Sequence, residues 1–146
     1  MGQGRGESKG RKRNAMKKAS IIAAVFLLCC LPAAAFSRDG LRLTAAYMCE
    51  QVSDAGPENR AVVFSAADGK VFCFCYFEYV PEKSTVFHVW YHGDRLVTRR
   101  KLVLEPPSWK IYSTMQLRDS DKGPWRVEII GADNKQLDVV RFSVTD

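Results

Sequence analysis

The sequence has few of the residues on which catalysis commonly depends. It contains only two histidines, His88 and His92, and histidine is the usual general base near neutral pH. It holds no Gly-x-Ser-x-Gly, His-Glu-x-x-His, phosphate-loop or dinucleotide-binding motif. Carboxylates such as Asp119, Asp121 and Glu128 are scattered over predicted turns and solvent-facing positions. We therefore expect no catalytic residue, no cofactor and no enzymatic activity.

The chain also lacks an apolar run of comfortable transmembrane length. The longest run, residues 21–31, is shorter than the roughly 20 residues that a spanning helix needs. Lysines precede it and small residues follow it, as is typical of a secretory signal peptide. We predict a signal helix over residues 16–37, cleaved after Ala35 or Ser37, and a periplasmic or secreted product. A membrane contact is expected only if this segment stays uncleaved.

Residues 1–15 precede this signal and are rich in Gly, Arg and Lys, with no apolar period. They are either a basic disordered tail or a mis-assigned start. The second interpretation is favoured because Met16 already opens a complete signal. Basic runs attract phosphate, but an exported chain would not meet cytoplasmic nucleic acid. We expect no nucleic-acid partner.

The net charge of +6 belongs to the N-terminal region. Residues 1–20 hold seven of the 22 basic residues and one of the 16 acidic residues, so 15 of each remain in the rest of the chain. The remaining domain is therefore neutral apart from histidine, and the composition does not imply a large anionic partner.

Alternation of apolar and polar residues with a period of two dominates the rest of the chain, and no helical period is convincing. The run at residues 70–79 is apolar on both faces, as expected of a central strand. We predict an all-β, immunoglobulin-like antiparallel β-sandwich of about seven to eight strands in a single domain over residues 38–146. The predicted strands are residues 41–49, 61–65, 70–79, 85–91, 95–104, 109–117, 125–130 and 137–144.

An ordered set of residues supports this assignment. The set comprises Cys49 and Val52, Pro57, Phe64, an aromatic strand at residues 71–77, His88-x-Trp90-Tyr91, Trp109-Lys110-x-x-Ser113, Gly123-x-Trp125-x-Val127, Leu137 and Phe142-x-Val144. It resembles a bacterial family catalogued only as a domain of unknown function, number twenty-nine fourteen, over about residues 46–144. The resemblance implies an exported or membrane-anchored protein and no particular chemistry. The basic stretch at residues 98–101 departs from the apolar strand that the resemblance would imply.

Three cysteines follow the predicted signal: Cys49, Cys73 and Cys75. If residues 70–79 and 85–91 form an antiparallel hairpin, a register that pairs Cys75 with His88 places Cys73, Cys75, His88 and Trp90 on one sheet face.

Three interpretations of these cysteines remain open. In the first, Cys49 forms a disulfide with Cys73 or Cys75 beneath Trp90, as in immunoglobulin-like sandwiches. Cys73, Cys75 and His88, with Cys49 as a fourth ligand, would suit Zn²⁺ or Cu(I). In the third, the three thiols are free and act as small buried hydrophobes.

Two surface hypotheses concern aromatic and basic residues. Exposed tryptophans can stack on sugars, but alternation predicts that Trp90, Trp109 and Trp125 face the core. A basic hairpin is the best candidate for contact with an anionic envelope protein or glycan, unless its charges only protect an edge strand. Its residues are Arg95, Arg99, Arg100 and Lys101.

Together these features predict an exported, non-catalytic binding or interaction module of the cell envelope. The alternative is a thiol-based redox or soft-metal-binding envelope protein that uses Cys73, Cys75 and His88.

Overall fold

The computed structural model describes residues 40–146, so the predicted tail and signal peptide lie outside the described residues. The described residues form nine strands and two short 3₁₀ turns, at Ala66–Asp68 and Asp119–Asp121. The strands are β1 (Arg42–Ser53), β2 (Gly56–Arg60), β3 (Val63–Ser65), β4 (Lys70–Glu78), β5 (Ser84–His92), β6 (Arg95–Leu104), β7 (Trp109–Gln116), β8 (Gly123–Gly131) and β9 (Gln136–Thr145). No helix among these residues is long and apolar enough to cross a membrane.

The strands form two sheets. One has the order β2-β1-β4-β7 and the other the order β3-β9-β8-β5-β6. The predicted all-β sandwich is therefore confirmed. Two details differ from the prediction. Residues 56–60, for which no strand was predicted, form β2. β3 pairs with β9 in parallel rather than antiparallel fashion.

The core lies between the inner faces of the two sheets, where alternate residues of the strands meet. Trp90, Phe77 and Phe64 are among its largest fully buried side chains. The central strand β4 is buried along almost its whole length, as its continuous apolar sequence predicts. Polar side chains in this core are few: His88 and Ser113 are the buried polar residues of the described chain.

The expected hairpin between β4 and β5 is wrong, because the two strands belong to different sheets. β4 pairs with β1 and β7, whereas β5 pairs with β6 and β8. Both central strands nevertheless turn alternate side chains into the same core. Cys75 and His88, which were predicted to be neighbours in one ladder, therefore meet across the sandwich instead.

A bulge in β1 decides the position of Cys49. Leu43 pairs with Phe77 and Ala45 with Tyr76, so Thr44 is an extra residue in the ladder. An extra residue exchanges the two faces of a strand beyond it. Leu43 and Met48 consequently both pack in the main core, while Cys49 packs on the other face of the sheet.

The position of Cys49 corrects the disulfide prediction. Cys49, Cys73 and Cys75 are all free and buried. Cys49 lies in a separate apolar cluster with Phe72 and Phe74. The backbone of the four-stranded sheet stands between this thiol and the two thiols of the main core, so the predicted bridge does not form.

Candidate metal-binding site in the core

The candidate site begins with two thiols on the inner face of β4. Cys73 and Cys75 are two residues apart and therefore project on the same side of the strand. Both are fully buried. Since β4 is hydrogen-bonded on both sides, to β1 and to β7, the backbone that carries these thiols is held on both edges.

The third group, His88, comes from the facing sheet. It lies in the middle of β5, opposite Ile129 of β8 and Arg100 of β6. Its side chain is 0% exposed, which is unusual for a residue that carries two polar ring nitrogens.

The three side chains converge on one point. The Cys75 Sγ lies 3.4 Å from the His88 Nε2. One potential ligand atom from each of Cys73, Cys75 and His88 lies within 4.8 Å of the other two. Among residues 40–146 this is the cluster of metal-ligating side chains that the fold assembles. These three residues were predicted from the sequence to lie together, and the structure brings them together.

Ser113 on β7 completes the site and was not predicted. It lies directly opposite Cys73 in the β4–β7 ladder, and its Oγ lies 2.8 Å from the His88 Nδ1. The Trp90 Nε1 donates to the same oxygen at 3.0 Å. A small polar residue two positions after the inward-facing Ile111 is the sequence signal that could have identified it.

The proton of the neutral His88 imidazole can lie on Nδ1 or on Nε2, and the hydrogen bonds of the ring allow both. The indole of Trp90 only donates, so it occupies one lone pair of the Ser113 oxygen. If His88 Nδ1–H donates to the other lone pair, Nε2 presents its own lone pair to Cys75. A histidine that binds a metal through one nitrogen ordinarily donates from the other in this manner.

Two of the buried thiols, those of Cys73 and Cys49, have raised pKa values. The hydrogen bond between the Cys73 and Cys75 thiols and burial keep the pKa of Cys73 well above its ordinary value. Burial raises the pKa of Cys49 to about 11. Ionisation in the core is therefore unfavourable unless a cation accompanies it, because a buried thiolate without a counter-charge is poorly solvated.

The residues fit a soft, thiophilic cation. Thiolate and imidazole are the ligands of Zn²⁺ and Cu(I). Metal bonds of about 2.3 Å to sulfur and 2.0 Å to nitrogen at a tetrahedral angle separate the two ligand atoms by about 3.5 Å, close to the Cys75–His88 distance. Cys49, predicted as a fourth ligand, is excluded by its place on the opposite face of the sheet.

The second histidine, His92, makes contacts outside the cysteine cluster. Its ring stacks on Trp125 with centroids 4.6 Å apart, and its Nε2 lies 3.0 Å from the Lys122 carbonyl oxygen. It is partly buried at the end of β5 and does not join the cysteine cluster.

The four residues of the predicted basic hairpin lie on β6, an edge strand of the five-stranded sheet. Arg95, Arg99, Arg100 and Lys101 are all exposed. Arg99 is anchored, because its guanidinium covers the Phe87 ring at 3.9 Å and donates to Asn134 Oδ1 at 3.2 Å.

Trp109 corrects a prediction about the aromatic residues. Trp90 and Trp125 are buried in the core as expected, but Trp109 is 41% exposed. It lies at the beginning of β7, just after the cis Pro106–Pro107 bond. There it lines a shallow groove of about 330 Å³ together with Tyr76, Ser108 and Lys110.

Comparison with known families identifies one segment. Residues 83–144 match the model of the family described as Protein of unknown function (DUF2914). This confirms the resemblance for the part of the chain from β5 to β9, which includes His88, Trp90 and Ser113. Cys73 and Cys75 precede the matched segment.

Other comparisons add little. No curated protein matches the chain. Among solved structures, the chain is similar to the "Crystal structure of Se-Met labeled Beta-glucosidase from Kluyveromyces marxianus", with 13% identity and a TM-score of 0.40. That match covers 73% of this chain and 14% of the other chain, and its score is too low to support an inference.

Proposed function

We propose that the protein is an exported, non-catalytic binding module of the bacterial cell envelope, and that its ligand is a soft metal ion held by Cys73, Cys75 and His88. The observation that carries the proposal is the convergence of three ligand atoms to within 4.8 Å of one another in the core. Two thiols and an imidazole on facing strands form a ligand set that apolar packing does not require.

Metal binding explains the site better than thiol redox chemistry does. Disulfide exchange needs a sulfur that an external thiolate can attack. Cys73 and Cys75 are both 0% exposed, and the pKa of Cys73 is raised, whereas reactive cysteines are accessible and have lowered pKa values. A metal ion that binds as the sandwich closes needs no later access to the sulfur.

Each residue then has a defined part. Cys73 and Cys75 lose their protons to solvent when the cation binds, because the thiolate is the ligand. His88 would bind through Nε2, the nitrogen nearest Cys75. Ser113 orients the ring through Nδ1, as second ligand shells do in metalloproteins.

Metal content of the full chain tests this proposal. We expect protein produced in zinc- or copper-supplemented medium to carry one metal ion per chain by elemental analysis. The Cys73→Ser variant should lose the metal, while Cys49→Ser, a matched change of an equally buried thiol, should keep it. A Co²⁺ titration supplies a second readout, since thiolate ligation produces a charge-transfer absorption band.

Two results would reject metal binding. One is a wild-type protein that takes up neither Zn²⁺ nor Cu(I) when refolded in their presence. The other is an unchanged metal content in Cys73→Ser protein that circular dichroism shows to be folded.

Export is tested separately, by the N-terminus of protein recovered from the cell envelope. We expect it to begin at Phe36 or Arg38. Recovery of protein that still carries Lys17 and Lys18 would show that the segment is an anchor.

The edge strand β6 supports a second binding function, toward an acidic segment of an envelope protein. β6 is ten residues long and lies at the end of its sheet, so its outer backbone groups are available to another strand. Leu96 and Val97, between the basic residues, and Val103, after them, are also exposed. A pull-down from envelope extract with Arg99→Ser/Arg100→Ser protein tests it, and unchanged recovery of every partner would reject it.

A further inference from the structure

Trp109 is placed where core packing does not account for it. Its alternation matches the inward-facing Ile111 and Ser113, yet 41% of its surface is exposed. It lies at the first position of β7, an edge strand of the four-stranded sheet. A large aromatic ring left in water is a common feature of binding sites.

The neighbours of Trp109 form a concave site. Lys110 and Tyr76 are partners in the β4–β7 ladder, and Ser108 precedes the strand. With Trp109 they line a groove of about 330 Å³, which is the lower end of the range for small-molecule sites. Residues that carry aromatic, hydroxyl and ammonium groups thus border one groove.

The outer face of the four-stranded sheet extends this site. The row next to Tyr76 and Lys110 carries Tyr47, Phe74 and Tyr112 on three adjacent strands. Tyr47 and Phe74 are stacked with centroids 5.5 Å apart, and Tyr112 is 50% exposed. Aromatic rings therefore continue from the groove across the sheet.

Positive charge accompanies these rings. The Arg60 guanidinium lies 3.8 Å from the centroid of the Tyr47 ring, and Lys70 Nζ lies 5.4 Å from that of Phe72. Lys110 makes no ion pair with another residue of the described chain. An anionic group of a ligand would complement the ammonium group of Lys110, the basic residue that lines the groove.

The aromatic, hydroxyl and ammonium groups of the groove residues favour one class of ligand. The flat faces of aromatic rings carry partial negative charge and attract the weakly positive C–H groups of a sugar ring, while hydroxyl groups bind the sugar's own hydroxyls. An ammonium group without an acidic partner adds recognition of a carboxylate. We propose that the groove formed by Tyr76, Ser108, Trp109 and Lys110 binds a carboxylate-bearing sugar, and that the outer aromatic face contacts the next residues of the same glycan.

Affinity electrophoresis of the full chain tests the proposal, with polygalacturonate as the acidic probe and dextran as the neutral one. We expect polygalacturonate to retard the wild-type protein more strongly than dextran does. Trp109→Ala should weaken binding to polygalacturonate by about tenfold, as expected for loss of one aromatic stacking contact. Lys110→Gln should weaken it by about fivefold, as expected for an exposed ion pair.

Matched variants on the other sheet provide the controls. Lys101→Gln removes an exposed lysine from β6, and Leu96→Ala removes an exposed apolar side chain from the same strand. Both should bind polygalacturonate as the wild type does. Far-ultraviolet circular dichroism establishes that each variant is folded.

Three outcomes would overturn the proposal. The first is a wild-type protein that polygalacturonate does not retard. The second is folded Trp109→Ala protein with wild-type affinity. The third is loss of binding in Lys101→Gln with none in Trp109→Ala, which would assign the glycan to the basic edge strand.

Discussion

The two faces of the β1–β4 strand pair hold equally buried thiols in different surroundings. On the inner face, Cys73 and Cys75 lie beside His88 and Ser113. On the outer face, Cys49 packs with the aromatic rings of Phe72 and Phe74, and its thiol makes a weak hydrogen bond to the Phe72 carbonyl oxygen at 3.9 Å. Burial is thus common to all three thiols, while the capacity to hold a cation depends on the neighbouring imidazole.

The largest expected effect is that of His88→Ala. The variant leaves a cavity in the core and removes the partner of both Cys75 and Ser113. We expect the free energy of unfolding to fall by about 4 kcal/mol, as for other large buried side chains. Urea denaturation at neutral pH measures it. A loss below about 1 kcal/mol would indicate that the inner network contributes little to stability.

Ser113→Ala should have an intermediate effect, of about 2 kcal/mol. The substitution removes almost no volume but leaves the Trp90 indole and the His88 Nδ1 without their shared partner. Ser84→Ala, at a partly buried serine outside this network, is the control and should cost less than Ser113→Ala. Equal losses in the two variants would contradict the importance of the network.

Cys49→Ala sharpens the comparison from the outer face. The variant removes one sulfur atom from an apolar cluster, together with its weak hydrogen bond to the Phe72 carbonyl oxygen. We expect a loss of about 1 kcal/mol in urea denaturation and an unchanged metal content. A loss of stability as large as that of His88→Ala would contradict the proposed difference between the two faces.

The last prediction concerns pH. Burial raises the pKa of Cys49 from 9.0 to about 11, so the unfolded chain ionises this thiol first as the pH rises. The stability gained from keeping it neutral is complete below pH 9 and is lost toward pH 11. The wild type should therefore lose more stability than Cys49→Ala between pH 8 and pH 11. Parallel pH profiles of the two proteins would contradict this assignment.

The sequence predicted the strands well because alternation and turn residues are local signals. The predicted strand at residues 95–104 coincides with β6, and that at residues 70–79 differs from β4 by one residue. Pairing is not local. β4 and β5 are consecutive and were paired on that ground, since consecutive strands often are neighbours, yet the chain crosses from one sheet to the other between them.

The candidate metal-binding site likewise depends on contacts that local sequence signals do not predict. Cys73, Cys75 and His88 were predicted to share one sheet face, and they meet instead across the core because β4 and β5 each direct them inward. The assignment of Cys49 was wrong because one extra residue, Thr44, reverses the alternation of β1, and no residue type at that position announces a bulge. Ser113 was missed because its role depends on a contact with the facing sheet.

The distribution of tryptophans gives the protein a built-in optical reporter. Of the three tryptophans in the chain, two are enclosed and Trp109 alone borders the groove. A water-soluble quencher such as acrylamide should therefore extinguish the red-shifted emission of Trp109 first. A glycan seated in the groove would shield that emission, so occupancy can be followed in unlabelled protein by light alone.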